Sequence, residues 1–382
     1  MSEPNPLMHV STTLSRGGAE NHVAELVRHQ RSRGAAVCVA FLRGSGTWTA
    51  ELVRLGAEVH NLELKFYGDL APLLKLRRLI KRKKPILLHA HMPPAELYSR
   101  LALLGIHRQS LPLVITKHNQ EPFYPGPFHA LMGRIVARRA SAIIAISEAV
   151  RRYMTSPSPA LPAAQIETIH YGIDAKPFQD VSDAAAIALR REWNVPDHAL
   201  LIGFVGRFVP QKSLDTLLTG FALFKASGGD NARLALVGTG PLEEMLRRQA
   251  EELGIAGDIV WPGFRENIPF IMRAFDIFVL PSTYEGLGLV LLEAMAAGRP
   301  VVASRASAIP EVVADQVTGI LVPVGNHDEL ARAFAKLSDP ALRSSFGEAG
   351  RERVMEKFTL EEMHRRTDAL YSRMQRDPSE QS

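Results

Sequence analysis

The sequence of 382 residues is poor in cysteine and in long apolar runs. Cys38 is the only cysteine, so no disulfide can form within the chain. Because the chain also opens without a hydrophobic signal region, a cytoplasmic protein is expected. The apolar runs, such as 200–205 and 277–280, have the length of buried strands and fall far short of the about 20 residues that span a bilayer. The sequence therefore predicts a protein that does not cross a membrane.

Metal-binding patterns are also missing. The chain has no Asp-x-Asp pair and no group of histidine, cysteine and aspartate at metal-ligand spacing. We therefore expect neither a metal ion nor another cofactor. Hydrophobic residues make up 46% of the chain and charged residues 22%, which excludes a disordered or fibrous protein.

Positive charge is concentrated in the first half of the chain. Residues 1–180 hold 23 lysines and arginines against 13 acidic residues, whereas the remainder holds 22 against 27. The densest segment, 75–84, has apolar residues at helical spacing, which predicts a surface helix with a basic face. Such a face either keeps the protein soluble or attracts an anionic membrane or a polyanionic acceptor. No motif or aromatic pattern indicates nucleic-acid binding.

Strands alternate with helices throughout, which predicts an α/β protein with mostly parallel sheets covered on both faces. The pattern restarts after a change of composition at 176–199, a segment expected to be a linker with one helix. We therefore predict two doubly wound, Rossmann-like domains, 1–175 and 180–358, facing each other across a cleft, and a last helix at 359–376 that packs back on the first domain. For the second domain we expect strands at 201–206, 233–237, 259–261, 276–280 and 300–303, and helices at 213–226, 241–253, 267–273, 288–297, 309–314 and 328–336.

The segment 281–298 contains the most specific pattern. A strand ends at Leu280, a polar loop follows, and glycines open an apolar helix. The loop places Glu285 and the amides of 286–289 at a helix N-terminus, which favours an anion. Glu293 is a carboxylate within that apolar helix, where it needs hydrogen-bonding partners. Ligand hydroxyls would serve, as would a neighbouring element of the protein.

The pair Glu285 and Glu293 resembles the E-x7-E signature of retaining family 4 glycosyltransferases with the GT-B fold. Further stretches resemble the same family, in the same order along nearly the whole chain: 17–20 (Gly-Gly-Ala-Glu), His118, 147–148, 171–174 (Tyr-Gly-Ile-Asp), 206–207 with Lys212, 238–241, and 263–264. Seven such motifs in order are specific, whereas any one of them would not be.

The resemblance implies roles for individual residues. Arg207 and Lys212 would bind the donor diphosphate and stabilise it as it leaves, because their cationic groups attract its negative charge. Glu293 would accept hydrogen bonds from the ribose, Glu285 would hold donor-sugar hydroxyls, and His118 would support charge near the anomeric carbon. The catalytic set is therefore His118, Arg207, Lys212 and Glu285, and the donor-binding set is Gly18, Gly206, Gly238, Gly240, Phe264, Gly286, Leu287, Gly288, Leu289 and Glu293. Without the family context, His118 would be read as structural and 17–18 as a tight turn.

The predicted activity is transfer of a hexose or N-acetylhexosamine, with retention, from a UDP- or GDP-sugar to a lipid-linked or cell-envelope saccharide. A GT-B synthase or phosphorylase with a soluble phosphosugar acceptor is the alternative. An NAD-dependent oxidoreductase fits less well, because the third glycine of a dinucleotide fingerprint would fall at Glu243. A non-catalytic nucleotide-sugar-binding protein also stays open, as do the donor base and the acceptor.

Overall fold

The computed structural model describes residues 4–15, 17–107, 111–120, 129–156 and 161–375. The chain divides into two compact units, Met1–Tyr171 with Glu361–Ser382, and Gly172–Leu360. Among the described residues, no helix has both the length and the apolar character needed to span a membrane.

The first unit is built on a seven-stranded parallel sheet with the strand order β3-β2-β1-β4-β5-β6-β7. Its strands are β1 (Leu7–Ser11), β2 (Val37–Phe41), β3 (Glu58–Asn61), β4 (Leu87–His91), β5 (Leu113–Lys117), β6 (Ala142–Ala145) and β7 (Ile166–Thr168), and its helices are α1 (Gly18–Ser32), α2 (Thr49–Arg54), α3 (Leu70–Lys83), α4 (Ala95–Ala102), α5 (His129–Arg139) and α6 (Glu148–Thr155). Strands β1, β2, β4, β5 and β6 are buried along their whole length, because helices cover both faces of a parallel sheet.

The second unit has a six-stranded parallel sheet with the order β10-β9-β8-β11-β12-β13. Its strands are β8 (Leu200–Val205), β9 (Ala232–Val237), β10 (Ile259–Gly263), β11 (Ile277–Leu280), β12 (Val301–Ser304) and β13 (Gly319–Val322), and its helices are α7 (Lys176–Gln179), α8 (Asp183–Glu192), α9 (Leu214–Ala226), α10 (Glu243–Glu252), α11 (Ile268–Ala274), α12 (Leu289–Ala296), α13 (Ile309–Val312), α14 (His327–Lys336) and α15 (Pro340–Lys357). The last helix, α16 (Leu360–Gln375), belongs to the first unit from Glu361 onward, and its side chains bond to residues of that unit's N-terminal part, such as Tyr371 to His89 and Asp368 to His29.

Both sheets reverse their strand order once, which confirms the predicted doubly wound α/β class. In the first sheet the order reverses between β1 and β4, and in the second between β8 and β11. Ligands of such sheets bind beyond the carboxyl ends of the strands at this reversal. The loops that follow β8 and β11 are therefore the first place to look for a ligand site in the second unit.

Some elements differ from the sequence-based expectations. The segment 176–199 contains two helices, α7 and α8, rather than one, and β13 and α15 were not expected. Helix α15 could not be predicted from the sequence because it contains Gly347 and Gly350, and glycine has a low helix propensity. The structure explains Gly347, since a Cβ there would lie 2.2 Å from the carbonyl oxygen of Gly298. Close packing against that carbonyl requires the glycine and overrides its helix propensity.

Candidate functional site

The loops after β8 and β11 are tied together at the switch point of the second sheet. The amide of Thr283 donates to the carbonyl of Gln211 at 2.9 Å, and the side chain of Gln211 donates to the carbonyl of Tyr284 at 2.8 Å. Gln211 lies in a 3₁₀ turn, Pro210–Lys212, that interrupts the chain before α9. This turn fixes the position of the neighbouring lysine.

Lys212 and Glu285 form an ion pair across the two loops. Lys212 Nζ lies 2.5 Å from Glu285 Oε1, and the hydroxyl of Ser282 donates to the same oxygen at 2.7 Å. Both charged side chains are largely buried, with exposed fractions of 16% and 10%. Because each charge has a partner, the site can hold them out of water. Two residues predicted from separate motifs are thus brought together.

Three of the predicted glycines pack the loops after β8 and β9 against each other. A Cβ at Gly238, where φ is +135°, would lie 1.9 Å from the carbonyl oxygen of Gly206. A Cβ at Gly240 would lie 2.4 Å from the carbonyl oxygen of Phe208. Backbone hydrogen bonds join the same loops, from Gly206 to Val237 and from Phe208 to the carbonyl of residue 239. These close approaches leave no room for a side chain.

Helix α12 begins beside Glu285. Its N-cap is Gly288, with φ +91°, so the helix starts at Leu289. The amide of Leu291 donates to the carbonyl of Gly288 at 2.9 Å, which leaves the amides of the first two helical residues without an acceptor within the helix. Glu293 lies one turn further along, and burial raises the pKa of its carboxyl group to about 7. The carboxylate therefore sits where a ligand hydroxyl, or a proton, would stabilise it.

The remaining predicted residues of the second unit lie on loops at the same edge. Arg207 follows β8 and is exposed, and Phe264 follows β10 with 58% of its surface exposed. Gly286 and Leu287 lie between Glu285 and the N-cap of α12. The whole predicted set of the second unit therefore lies at or near the carboxyl ends of β8, β9, β10 and β11.

In the first unit, His118 follows β5 and is hydrogen-bonded through Nδ1 to the hydroxyl of Tyr171. Burial, together with the charge of Lys117, lowers the pKa of His118 to about 3, so the imidazole is neutral. Its Nε2 is buried and has no hydrogen-bond partner among the described residues. The ring of His22, on α1, lies 5.9 Å from that of His118 and 4.5 Å from that of Tyr171.

The start of α1 is organised by Glu20. Gly17 is the N-cap and the exposed Gly18 is the first helical residue. The carboxylate of Glu20 folds back over this turn and accepts a hydrogen bond from Thr13, so that a Cβ at Gly17 would lie 2.6 Å from it. The turn therefore presents a carboxylate beside Gly18, which works against binding an anion there.

The fold assembles a histidine cluster that the sequence spacing does not reveal. His9 on β1 and His89 and His91 on β4 lie on one sheet face, with ring nitrogens within 4.8 Å of one another. His9 Nε2 donates to the side-chain oxygen of Gln30 at 2.9 Å, so its Nδ1 accepts from His91 Nε2 at 3.1 Å. His89 bonds to the hydroxyls of Thr116 and Tyr371.

These bonds already engage most of the nitrogens that a metal ion would need. A second close group, Cys38, Glu58 and His60, is similarly occupied, since Glu58 pairs with Lys83 and with His60. Burial raises the pKa of the Cys38 thiol to about 12, which disfavours the thiolate that binds metals. No spacing pattern along the chain predicts these two groups, which form only when the fold brings separate strands together, and their side chains are largely hydrogen-bonded to other residues.

Several residues of the two sites were not predicted. Gln211 and Ser282 orient Lys212 and Glu285, and Tyr171 orients His118. The pairs span up to 73 positions of sequence, so no spacing pattern reveals them. Two signals were available: Gln211 and Ser282 lie within a few places of predicted site residues, and Tyr171 belongs to the family-like stretch 171–174.

Comparisons with known proteins match both parts of the chain. Residues 16–176 match the family described as Glycosyltransferase Family 4, and residues 186–353 match Glycosyl transferases group 1. The chain is 30% identical to the alpha-maltose-1-phosphate synthase of Mycolicibacterium smegmatis, over 94% of this chain and 96% of the relative. It is also 30% identical to the D-inositol 3-phosphate glycosyltransferase of Kribbella flavida, over 89% and 87% respectively.

Among solved structures, the fold is similar to that of Anabaena HepE in complex with UDP and glucose. The TM-score is 0.85 at 22% identity, over 97% of this chain and 100% of that one. This likeness confirms the GT-B fold class that the sequence predicted. Together with the family matches, it shows that the chain belongs to the family 4 (group 1) glycosyltransferases and is a glycosyltransferase of the GT-B fold.

Proposed function

We propose that this protein transfers a hexose or N-acetylhexosamine, with retention and without a metal ion, from a UDP- or GDP-sugar to a saccharide acceptor. The observation that carries the proposal is the Lys212–Glu285 pair at the switch point, beside the N-terminus of α12 and the exposed Arg207. A diphosphate at this edge would meet two cations and unpaired amides. The solved structure of HepE with UDP and glucose is consistent with such a donor.

In this proposal Arg207, Lys212 and the start of α12 stabilise the leaving diphosphate. The bond between the anomeric carbon and the phosphate oxygen breaks, and the acceptor oxygen bonds to the same face of that carbon. The acceptor proton passes to the leaving phosphate oxygen, so charge builds on the diphosphate in the transition state. Cations placed where that charge develops would lower the barrier. Arg207 and Lys212 would offset the negative charge of the leaving diphosphate, as a divalent metal ion does in other transferases.

The carboxylates and His118 hold the donor. Glu285 is oriented by Ser282 and Lys212, so its free oxygen can accept from sugar hydroxyls. Glu293, whose pKa is raised to about 7, would gain hydrogen bonds from the ribose that offset the cost of its burial. The neutral His118 would use the unpartnered Nε2 toward the sugar.

The donor is tested by titrating UDP-, GDP- and ADP-sugars into the protein and following its thermal unfolding. Lys212→Ala is the test variant and Lys336→Ala, on the exposed side of α14, is the charge-matched control. A ligand at a hundred times its Kd stabilises the fold by about 2.7 kcal/mol. We expect one nucleotide's sugars to stabilise the wild type and Lys336→Ala, and Lys212→Ala to lose most of this effect and orders of magnitude in turnover. Equal stabilisation and turnover in both variants would contradict the assignment.

Retention and metal independence need their own measurements. The anomeric configuration of the product is read by NMR and should equal that of the donor. Turnover should be unchanged after dialysis against EDTA. Inversion, or activity that EDTA removes and Mg²⁺ or Mn²⁺ restores, would contradict this part of the proposal.

For the acceptor, we propose a lipid-linked or cell-envelope saccharide, supported by the basic helix α3. Its charges are only partly used within the protein: Lys75 pairs with Glu63, Lys83 pairs with Glu58, and Arg77 donates to two carbonyls at the C-terminal end of α4. Arg78, Lys81 and Lys84 are exposed. Sedimentation with neutral and with anionic vesicles tests the contact. Binding that depends on anionic lipid and is lost when these three residues are changed to glutamine supports it, and equal binding to both vesicles contradicts it.

A soluble phosphosugar acceptor is the second candidate. It is favoured by the names of the two relatives that align over most of the chain, an alpha-maltose-1-phosphate synthase and a D-inositol 3-phosphate glycosyltransferase. Product formation in solution from a sugar 1-phosphate or inositol phosphate, without vesicles, would establish this candidate. No product with such acceptors, alongside product with lipid-linked saccharide, would exclude it.

A further inference from the structure

A polar cavity lies at the amino edge of the second sheet, the edge opposite the predicted donor-binding loops. It has a volume of about 500 Å³ and is formed by the residues that precede β11 and β12 and by residues 340–351 of α15. All strands of the sheet are parallel, so the starts of β11 and β12 lie far from the loops that follow β8 and β11. This volume would hold a small ligand such as a sugar phosphate.

Four arginines line the cavity: Arg273, Arg299, Arg343 and Arg351. Two of them are engaged by the protein. Arg273 pairs with Asp183 at 2.6 Å, and Arg343 donates to the carbonyls of Leu337 and Ser338 at 2.7 and 2.9 Å.

The other two arginines lack partners. The Nε atoms of Arg299 and Arg351 are buried and bond to none of the residues that the structure describes, and neither guanidinium forms an ion pair there. Burial, together with the nearby charge of Arg273, lowers the pKa of Arg299 to about 10. The guanidinium of Arg351 lies against the backbone of Gly298, next to Arg299, because a Cβ at Gly298 would lie 2.4 Å from its Nη2. Like charges are therefore partly desolvated next to one another, and neither Arg299 nor Arg351 forms an ion pair with a described residue, although the charges of Asp276 and Asp183 act on Arg299.

The two aspartates of the cavity are bonded to other groups and act on Arg299 only through their charge, without an ion pair. Asp183 is engaged by Arg273, and Asp276 accepts from Arg190 at 3.0 Å and from the amide of Leu201 at 2.7 Å. Glu348, on α15, is exposed and forms no ion pair with either arginine. An incoming anion would therefore meet guanidinium donors that are still available.

We propose that Arg299 and Arg351, with Arg273 beside them, form a second anion site that binds the phosphate group of a small phosphate ester such as a sugar phosphate. Guanidinium groups bind phosphate oxygens by paired, charge-assisted hydrogen bonds. A bound phosphate would relieve the repulsion between the arginines.

The site is tested by calorimetric titration of inorganic phosphate and of glucose 6-phosphate into the full-length protein. All titrations use protein that carries Lys212→Ala, which removes binding at the predicted donor site. Any heat of binding then reports on the cavity rather than on the donor site. Arg299→Gln and Arg351→Gln are the test variants. Arg332→Gln is the control, since it makes the same change of charge on an exposed residue of α14 that pairs with Glu329 outside the cavity.

We expect at least one probe to bind the Lys212→Ala protein and its Arg332→Gln control equally. We expect Arg299→Gln and Arg351→Gln to weaken that binding at least about 30-fold, as loss of a buried charged partner does. Tighter binding of the ester than of inorganic phosphate would identify the ester as the ligand, and the reverse would identify free phosphate. Absence of binding, or binding that both variants retain, would overturn the proposal.

Thermal unfolding without ligand supplies a second readout. Because Arg299 and Arg351 lack partners and repel each other, their replacement by glutamine should leave the Tm unchanged or raise it. Arg343→Gln, which removes two hydrogen bonds to carbonyls, should lower it. If all three variants lower the Tm equally, the arginines are structural and the proposal fails.

Discussion

Lys212 donates a hydrogen bond to Glu285 across 2.5 Å, and these residues are 73 positions apart in the chain. The bond spans the point where the strand order of the second sheet reverses, between β8 and β11. Each residue neutralises the other in a largely buried setting. The site is therefore organised before any donor binds, and a diphosphate would enter beside a lysine that is already oriented.

The first prediction concerns this pair. Lys212→Ala leaves the carboxylate of Glu285 buried with only Ser282 as a partner, so unfolding free energy should fall by about 1–3 kcal/mol. Glu285→Gln should cost a similar amount. The double variant should cost clearly less than the sum, since neither charge is then left alone. Urea unfolding of the four proteins measures this coupling, and strictly additive costs would show that the pair does not interact.

The second prediction concerns pH. The folded-state pKa of Glu293 is about 7, above the ordinary value of 4.5, because of burial. The folded state therefore holds more protons than the unfolded state between these values, and the contribution of Glu293 to stability falls as pH rises from about 4.5 to 7. Glu293→Gln removes this dependence. The unfolding free energy of the variant minus that of the wild type should therefore increase as the pH rises from 5 to 8, by a few kcal/mol at most.

Urea unfolding of both proteins at pH 5 and pH 8 checks this expectation. Glu266→Gln, on an exposed loop after β10, controls for the loss of a negative charge. A gap between wild type and Glu293→Gln that stays constant over this range would show that Glu293 ionises normally.

The third prediction concerns Tyr171 as a positioning residue. Burial, together with the charge of Glu20, raises the pKa of Tyr171, so its hydroxyl stays protonated and can donate to Nδ1 of His118. This bond would place the histidine proton on Nε2. Tyr171→Phe should mix the two tautomers, lower kcat more than it raises KM, and cost about 1–3 kcal/mol of stability.

Nitrogen-15 chemical shifts of the His118 ring measure the tautomer directly. A purely structural tyrosine would lower stability without changing those shifts or kcat. Tyr98→Phe, which removes a hydroxyl that donates to the carbonyl of Asp69 on another part of the first unit, is the matched control.

The fourth prediction concerns the glycine loops. Gly238→Ala would place a Cβ 1.9 Å from the carbonyl oxygen of Gly206, at a φ of +135°. Strain and overpacking of this kind each cost on the order of 1–3 kcal/mol, so the variant should lose about 3–5 kcal/mol. Gly254→Ala has a positive φ of +70° but nothing within 4 Å, so it should lose only about 1–2 kcal/mol. Equal losses by urea unfolding would contradict this packing.

Most of the regular structure could be predicted from the sequence. Buried strands such as β8 and β9 can be recognised in the sequence as short apolar runs, and α12 can be recognised as an apolar segment that follows glycines. Helix α15 and strand β13 could not be predicted, because Gly347 and Gly319 fit them only through contacts with the carbonyls of Gly298 and Val301. Local propensity carries no information about such distant partners.

The sequence by itself determined the family, the two doubly wound sheets, and the loops on which the candidate site residues lie, because these follow from periodicity and from motifs confined to short segments. Only the tertiary structure decided which side chains meet: Lys212 with Glu285, His118 with Tyr171, and the unpartnered Arg299 beside Arg351. These pairs lie between 52 and 73 positions apart. Their contacts depend on strand order and helix packing, which the whole chain settles together when it buries its core.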